Sequence, residues 1–93
     1  MKIKPAKKKA AVIGLWHLGC TVAAALAKSG FDVVGFDFDQ KLIANLNKAI
    51  MPIAEPGLSE LTQAMLKSGR LSFTSDFKKL SAHSYIIIGY DTP

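Results

Sequence analysis

The sequence holds a single cysteine, Cys20, so no disulfide can close within the chain, and a reducing compartment is the expectation. Its two histidines, His17 and His83, have no acid or second histidine at metal-ligand spacing, so no metal site is expected. Apolar runs long enough to cross a membrane are missing. The run that follows the N-terminal lysines, Ala10 to Leu15, is too short for a signal peptide and is interrupted by Trp16 and His17, so a cytoplasmic location is expected. Acidic residues are missing from the first nine positions, where Lys2, Lys4, Lys7, Lys8 and Lys9 gather; without these lysines the basic and acidic residues balance. No aromatic side chain interleaves them for base stacking, and Pro5 opposes a helix. Residues 1–9 therefore read as a solvated basic tail, with neither nucleic acid nor a membrane expected as partner.

What remains, residues 10–93, is a single unit 49% hydrophobic over the whole chain, with regular punctuation. Ala10 to Ile13 is a short apolar strand that stops at Gly14. Leu18, Val22 and Leu26 recur at helical spacing among alanines, and Gly30 closes that helix. Asp32 to Asp37 reads as a second strand. Asp39 is placed to cap a helix with Leu42, Ile43, Leu46 and Ile50 on one face. Pro52 and Pro56 bracket a loop, and Leu58, Leu61, Met65 and Leu66 mark a third helix that Gly69 stops. Arg70 to Thr74 is a third strand with Leu71 and Phe73 on one face, Asp76 caps one turn through Leu80, and Tyr85 to Ile88 is a buried fourth strand. Strands alternating with helices imply parallel pairing and right-handed crossovers, hence an α/β doubly wound sheet in the order 3-2-1-4. Such sheets ordinarily have more strands, so the fourth strand is expected to be an apolar edge open to self-association or to further domains.

Gly14-Leu15-Trp16-His17-Leu18-Gly19 lies between the first strand and the first helix. In a dinucleotide fingerprint the first glycine makes a tight turn, the second lets backbone approach the pyrophosphate, and the third lets helix and strand pack closely. Gly14 and Gly19 fill the first and third positions; Trp16 stands in the second. Asp37 ends the second strand near the ~20-residue offset of the acid that accepts the ribose hydroxyls. A 2′-phosphate there would bring like charges near 4 Å, costing roughly 4 kcal/mol at an effective dielectric of 20, and no arginine lies nearby. NAD is thus expected over NADP. Trp16 is expected to hold the pyrophosphate back, so that Trp16→Gly would tighten NAD binding; the rival expectation is an indole packed on its neighbours that fixes the loop.

From about Ala11 to Pro93 the sequence resembles the N-terminal region of the UDP-glucose/GDP-mannose dehydrogenase family. The resemblance rests on Gly35-Phe36-Asp37-Phe38-Asp39, Leu46-Asn47, Pro52 with Glu55-Pro56-Gly57-Leu58, Gly69-Arg70-Leu71, Phe73-Thr74-Ser75-Asp76 and Thr92-Pro93. It implies the NAD-binding portion of an oxidoreductase that takes the C6 hydroxyl of a nucleotide sugar to a carboxylate with two NAD, as in polysaccharide biosynthesis. By resemblance Gly14, Leu15, Trp16, His17, Leu18 and Gly19 hold the pyrophosphate, Asp37 holds the ribose, and Tyr90, Asp91 and Thr92 pass over the cofactor. A basic residue often found near the adenosine is replaced by Leu42, and Lys41 beside it is expected to face elsewhere. The family's catalytic cysteine, lysine and asparagine have no counterpart here, so no catalytic residue is assigned and the chain alone is expected to be inactive. Cys20 is read as a packing residue and His17 as a loop contact. The alternative reading is a truncated, non-catalytic dinucleotide-binding or interaction module.

Overall fold

A computed structural model describes residues 8–16, 18–80 and 85–88. The chain runs through β1 (Lys9–Ile13), α1 (Leu18–Lys28), β2 (Asp32–Phe36), α2 (Gln40–Leu46), α3 (Leu58–Ser68), β3 (Leu71–Thr74), a 3-10 turn (Phe77–Leu80) and β4 (Tyr85–Ile88). The four strands form one parallel sheet in the order β3-β2-β1-β4. This is the expected α/β order. Strand β1 already begins at Lys9, whereas Met1 to Lys7 lie outside the described residues.

Register sorts the strand side chains onto two faces. Ala10, Val12, Val33, Leu71 and Phe73 share one face and form the core with α1, α2 and α3. The opposite face carries Ala11, Val34 and Phe36, all buried, with the Phe36 ring met edge-on by Phe38 and Phe77 at 4.9 and 5.7 Å. Strand β4 departs from expectation. Tyr85, Ile86 and Ile88 are exposed, the two isoleucines by 61% and 71%, because β4 pairs with β1 alone among the described strands.

Helix α1 meets the sheet through its small residues. Gly19, Cys20, Ala23, Ala24 and Ala27 are buried, while the expected stripe is displaced to the flank, with Val22 and Leu26 partly buried and Leu18 exposed. A helix pressed this closely against strands has room beneath it for methyl groups only. Asp39 caps α2 as expected, its carboxylate accepting the Leu42 N–H at 3.1 Å. In α3 the unpredicted core member is Thr62, fully buried, whose Oγ1 lies 3.5 Å from the Met51 sulfur.

Helix α2 ends sooner than its apolar periodicity suggests. Its buried face is Leu42, Ile43 and Leu46, and Ile50 is excluded because the chain reverses at Ala49. There φ is +60°, and the Ala49 and Ile50 amides donate to Leu46 and Asn45 carbonyls at 2.9 Å each. A left-handed non-glycine residue costs about 1–2 kcal/mol, against roughly 0.5–1 kcal/mol for the extra freedom of an unfolded glycine. Ala49→Gly is therefore expected to stabilise the chain by roughly 0.5–1 kcal/mol. A urea midpoint that stays put or falls would contradict this account of the turn.

Candidate functional site

The site grows from the C-terminal end of β1. Gly14 leaves the strand with φ +89°, and its N–H donates to the Phe36 carbonyl at 2.8 Å, fixing the start of the loop to the last residue of β2. Leu15 turns inward and is fully buried. It finds room because Gly35, in the middle of β2, carries no side chain: a Cβ there would lie 2.9 Å from Leu15 Cδ2 and 2.7 Å from the Phe73 ring. Gly35 was not singled out from sequence as a packing position, although a glycine inside a strand pattern is a signal of close approach.

The third fingerprint glycine has no room for any other residue. A Cβ on Gly19 would sit 1.8 Å from the Gly14 carbonyl oxygen and 2.8 Å from its carbon. The Gly19 N–H donates to the Trp16 carbonyl at 3.2 Å, closing the loop as α1 begins at Leu18. The next residue, Cys20, is buried, and burial pushes its thiol pKa up, assisted by the charge of Glu55. A thiol kept protonated is a poor nucleophile, in keeping with packing.

Asp37 follows β2 directly and is only 5% exposed. Its carboxylate is held from both sides: Oδ2 accepts the Leu15 N–H at 3.0 Å and Oδ1 accepts the Asp39 N–H at 3.0 Å. The acid after the second strand and the glycine loop after the first are thus one hydrogen-bonded unit. An ionised carboxylate offers about four lone-pair positions, so acceptor capacity remains beyond these two bonds.

Trp16, in the position of the second glycine, is 46% exposed and lines a cleft of about 280 Å³ with α2 and the segment after it. Lys41 lines the same cleft, a correction to the expectation that it faces elsewhere; Leu42 packs in the core and reaches the cleft as well. His17, Tyr90, Asp91 and Thr92 lie outside the described residues, as does His83. Among the described residues no group of three or more His, Cys, Asp or Glu is placed to hold a metal ion, and no helix is long and apolar enough to cross a membrane.

These features fit a dinucleotide on two counts: a helix N-terminus brought against a strand end through Gly19, and a buried carboxylate fixed beside the loop. Trp16 alone departs from the pattern. Residues 8–93 match the UDP-glucose/GDP-mannose dehydrogenase family, NAD binding domain. GDP-mannose 6-dehydrogenase of Pseudomonas aeruginosa is 40% identical over 84% of this chain, and UDP-glucose 6-dehydrogenase of Rhizobium meliloti 38% identical over 91%. The solved structure of a UDP-D-ManNAc dehydrogenase from Pyrococcus horikoshii superposes with a TM-score of 0.88 over 91% of this chain, at 33% identity. The chain spans about a fifth of the length of these relatives, 19% and 20% of the two sequences and 20% of the solved chain. With its fold, its glycine loop and its strand-end acid all of that kind, this chain belongs to the UDP-glucose/GDP-mannose dehydrogenase family and spans part of its NAD-binding domain.

Proposed function

We propose that this chain is the cofactor-holding part of an NAD-dependent nucleotide-sugar 6-dehydrogenase of the cytoplasm, acting in polysaccharide biosynthesis, with residues 10–93 as the dinucleotide unit and 1–9 as a basic tail. The observation that carries the reading is the Asp37 carboxylate bonded to the Leu15 N–H of the glycine loop. Gly14, Leu15, Trp16, Leu18 and Gly19 would present the loop and helix start to the pyrophosphate, and Asp37 would accept the hydroxyls of the adenosine ribose. His17, Tyr90, Asp91 and Thr92 are assigned to the same site by resemblance. When bound, NAD supplies the hydride acceptor for oxidation of a C6 hydroxyl. The chain's own residues bind and orient it. Asp37 also excludes a 2′-phosphate by like charge. The nucleotide-sugar substrate and the reaction belong to a complete enzyme.

Calorimetric titration tests this directly. NAD is expected to bind the chain and NADP to bind more weakly. UDP-glucose or GDP-mannose with NAD should give no NADH from the chain alone, since it offers no group assigned to proton or hydride transfer. Absence of binding by NAD would sink the reading. Self-association through the exposed β4 edge is also proposed, since Ile86 and Ile88 stand exposed beside an unpaired strand edge among the described residues. Sedimentation should show mass rising with concentration, and a clean monomer at high concentration would refute it.

A further inference from the structure

We propose that Trp16 forms one wall of a base-binding subsite, and that the cleft between the glycine loop and α2 takes the adenine ring of the dinucleotide. The proposal rests on the NAD-binding reading and extends it to a residue that the glycine fingerprint gives no role. Two large apolar side chains, Trp16 and Ile50, are 46% and 52% exposed, and both line the same cleft. Exposed apolar surface bordering a concavity is what a bound ring would cover. At about 280 Å³ the cleft falls just below the roughly 300–1,000 Å³ of sites for whole small molecules. It suits one base, not a dinucleotide.

Its lining has the mixed character that a purine requires. Leu42, Met51 and Pro52 complete the apolar walls, and Asn45 brings an amide that can both donate to and accept from a base edge. The Thr62 hydroxyl at 3.5 Å from the Met51 sulfur steadies one wall from the core. Ile50 reaches the cleft because the reversal at Ala49 takes it off the buried face of α2.

Position relative to Asp37 decides which ring is meant. One carboxylate oxygen of Asp37 accepts from the N–H of Asp39, a residue of the cleft, and the other from the N–H of Leu15, the neighbour of Trp16. A ribose held at Asp37 therefore presents its base beside this cleft, since base and ribose are joined by one glycosidic bond. The indole, by lining the cleft, faces α2 and residues 50–52, and it stacks on the base instead of blocking the pyrophosphate. The expected sign of Trp16→Gly is thereby reversed: affinity falls.

Trp16 is the sole tryptophan of the sequence, so its emission reports on this cleft alone. The chain is titrated with AMP, with NAD and, as a base-free-of-adenine control, with nicotinamide mononucleotide, following fluorescence and heat in parallel. AMP and NAD are expected to quench Trp16 saturably, and nicotinamide mononucleotide is not. Trp16→Leu should weaken AMP and NAD on the order of tenfold, with Trp16→Phe recovering most of the loss. Should Trp16→Leu fail to fold, Ile50→Ser probes the opposite wall from an exposed position. NAD binding by calorimetry with unchanged Trp16 emission and parental affinity in the variants would overturn the subsite and leave the NAD reading standing. Saturable quenching by AMP without NAD binding would support the subsite and overturn that reading. No heat and no quenching with either ligand would overturn both.

Discussion

Gly19→Ala is expected to cost about 3 kcal/mol or more, at or beyond the top of the usual range for overpacking. The reason is the identity of the atom in the way. The new methyl would lie 1.8 Å from the Gly14 carbonyl oxygen, a backbone atom in a loop whose own amide is tied to Phe36. No rotamer change relieves this, so α1 must withdraw from β1, and its buried row of Cys20, Ala23, Ala24 and Ala27 withdraws with it. Gly35→Ala makes a useful comparison. Its methyl would meet the ends of Leu15 and Phe73 side chains at 2.7–2.9 Å, which can turn aside at smaller cost. Thermal melts should place Gly19→Ala lower by on the order of 10–20 °C and Gly35→Ala between it and the parent. NAD affinity should fall in the same order, because the withdrawn helix start no longer meets the loop. A Gly19→Ala protein within about 1 kcal/mol of the parent would refute the packing role assigned to this glycine.

The strand order and the Asp39 cap were legible because each rests on a local signal: alternating apolar runs, a right-handed crossover, an acid three residues before a free helix amide. The errors share a cause. Hydropathy periodicity placed Leu18, Val22 and Leu26 of α1 toward the core, yet the sheet takes the alanines, since the Gly14–Gly19 contact fixes the helix too close for leucine. Ile50 was counted with α2 because nothing in its apolar character announces that Ala49 turns left-handed. Tyr85 to Ile88 looked like a buried strand because composition records what a strand can bury, whereas burial depends on what lies beside it. In the candidate site, Gly14, Gly19 and Asp37 were legible as a spacing pattern. That Asp37 is bonded to the loop, that Gly35 makes room for Leu15, and that Lys41 and Trp16 share a cleft are facts of packing between segments distant in sequence.

Asp37→Asn should damage the fold as well as the choice of cofactor. An ionised carboxylate accepts at both oxygens, and here each receives a backbone N–H, from Leu15 and from Asp39. An asparagine of the same shape keeps one acceptor and turns an NH₂ toward the other amide, so two donors face each other at a buried position. Leaving such a donor unsatisfied costs about 1–3 kcal/mol, with the upper part of the range appropriate where the lost partner was charged. The chain without ligand is therefore expected to lose about 2–3 kcal/mol in urea unfolding. With ligand, NAD affinity should fall further and the preference over NADP should narrow, because the charge that repels a 2′-phosphate is gone. Asp39 is not an equivalent acid. Its carboxylate already accepts the Leu42 N–H and caps α2, so Asp39→Asn, which retains a capping oxygen, should leave stability within about 0.5 kcal/mol and leave cofactor discrimination unchanged. The pair of variants separates the two functions of Asp37. If Asp37→Asn kept parental stability, the latch between loop and acid would be wrong; if it kept parental discrimination while Asp39→Asn lost it, the ribose acid would be Asp39.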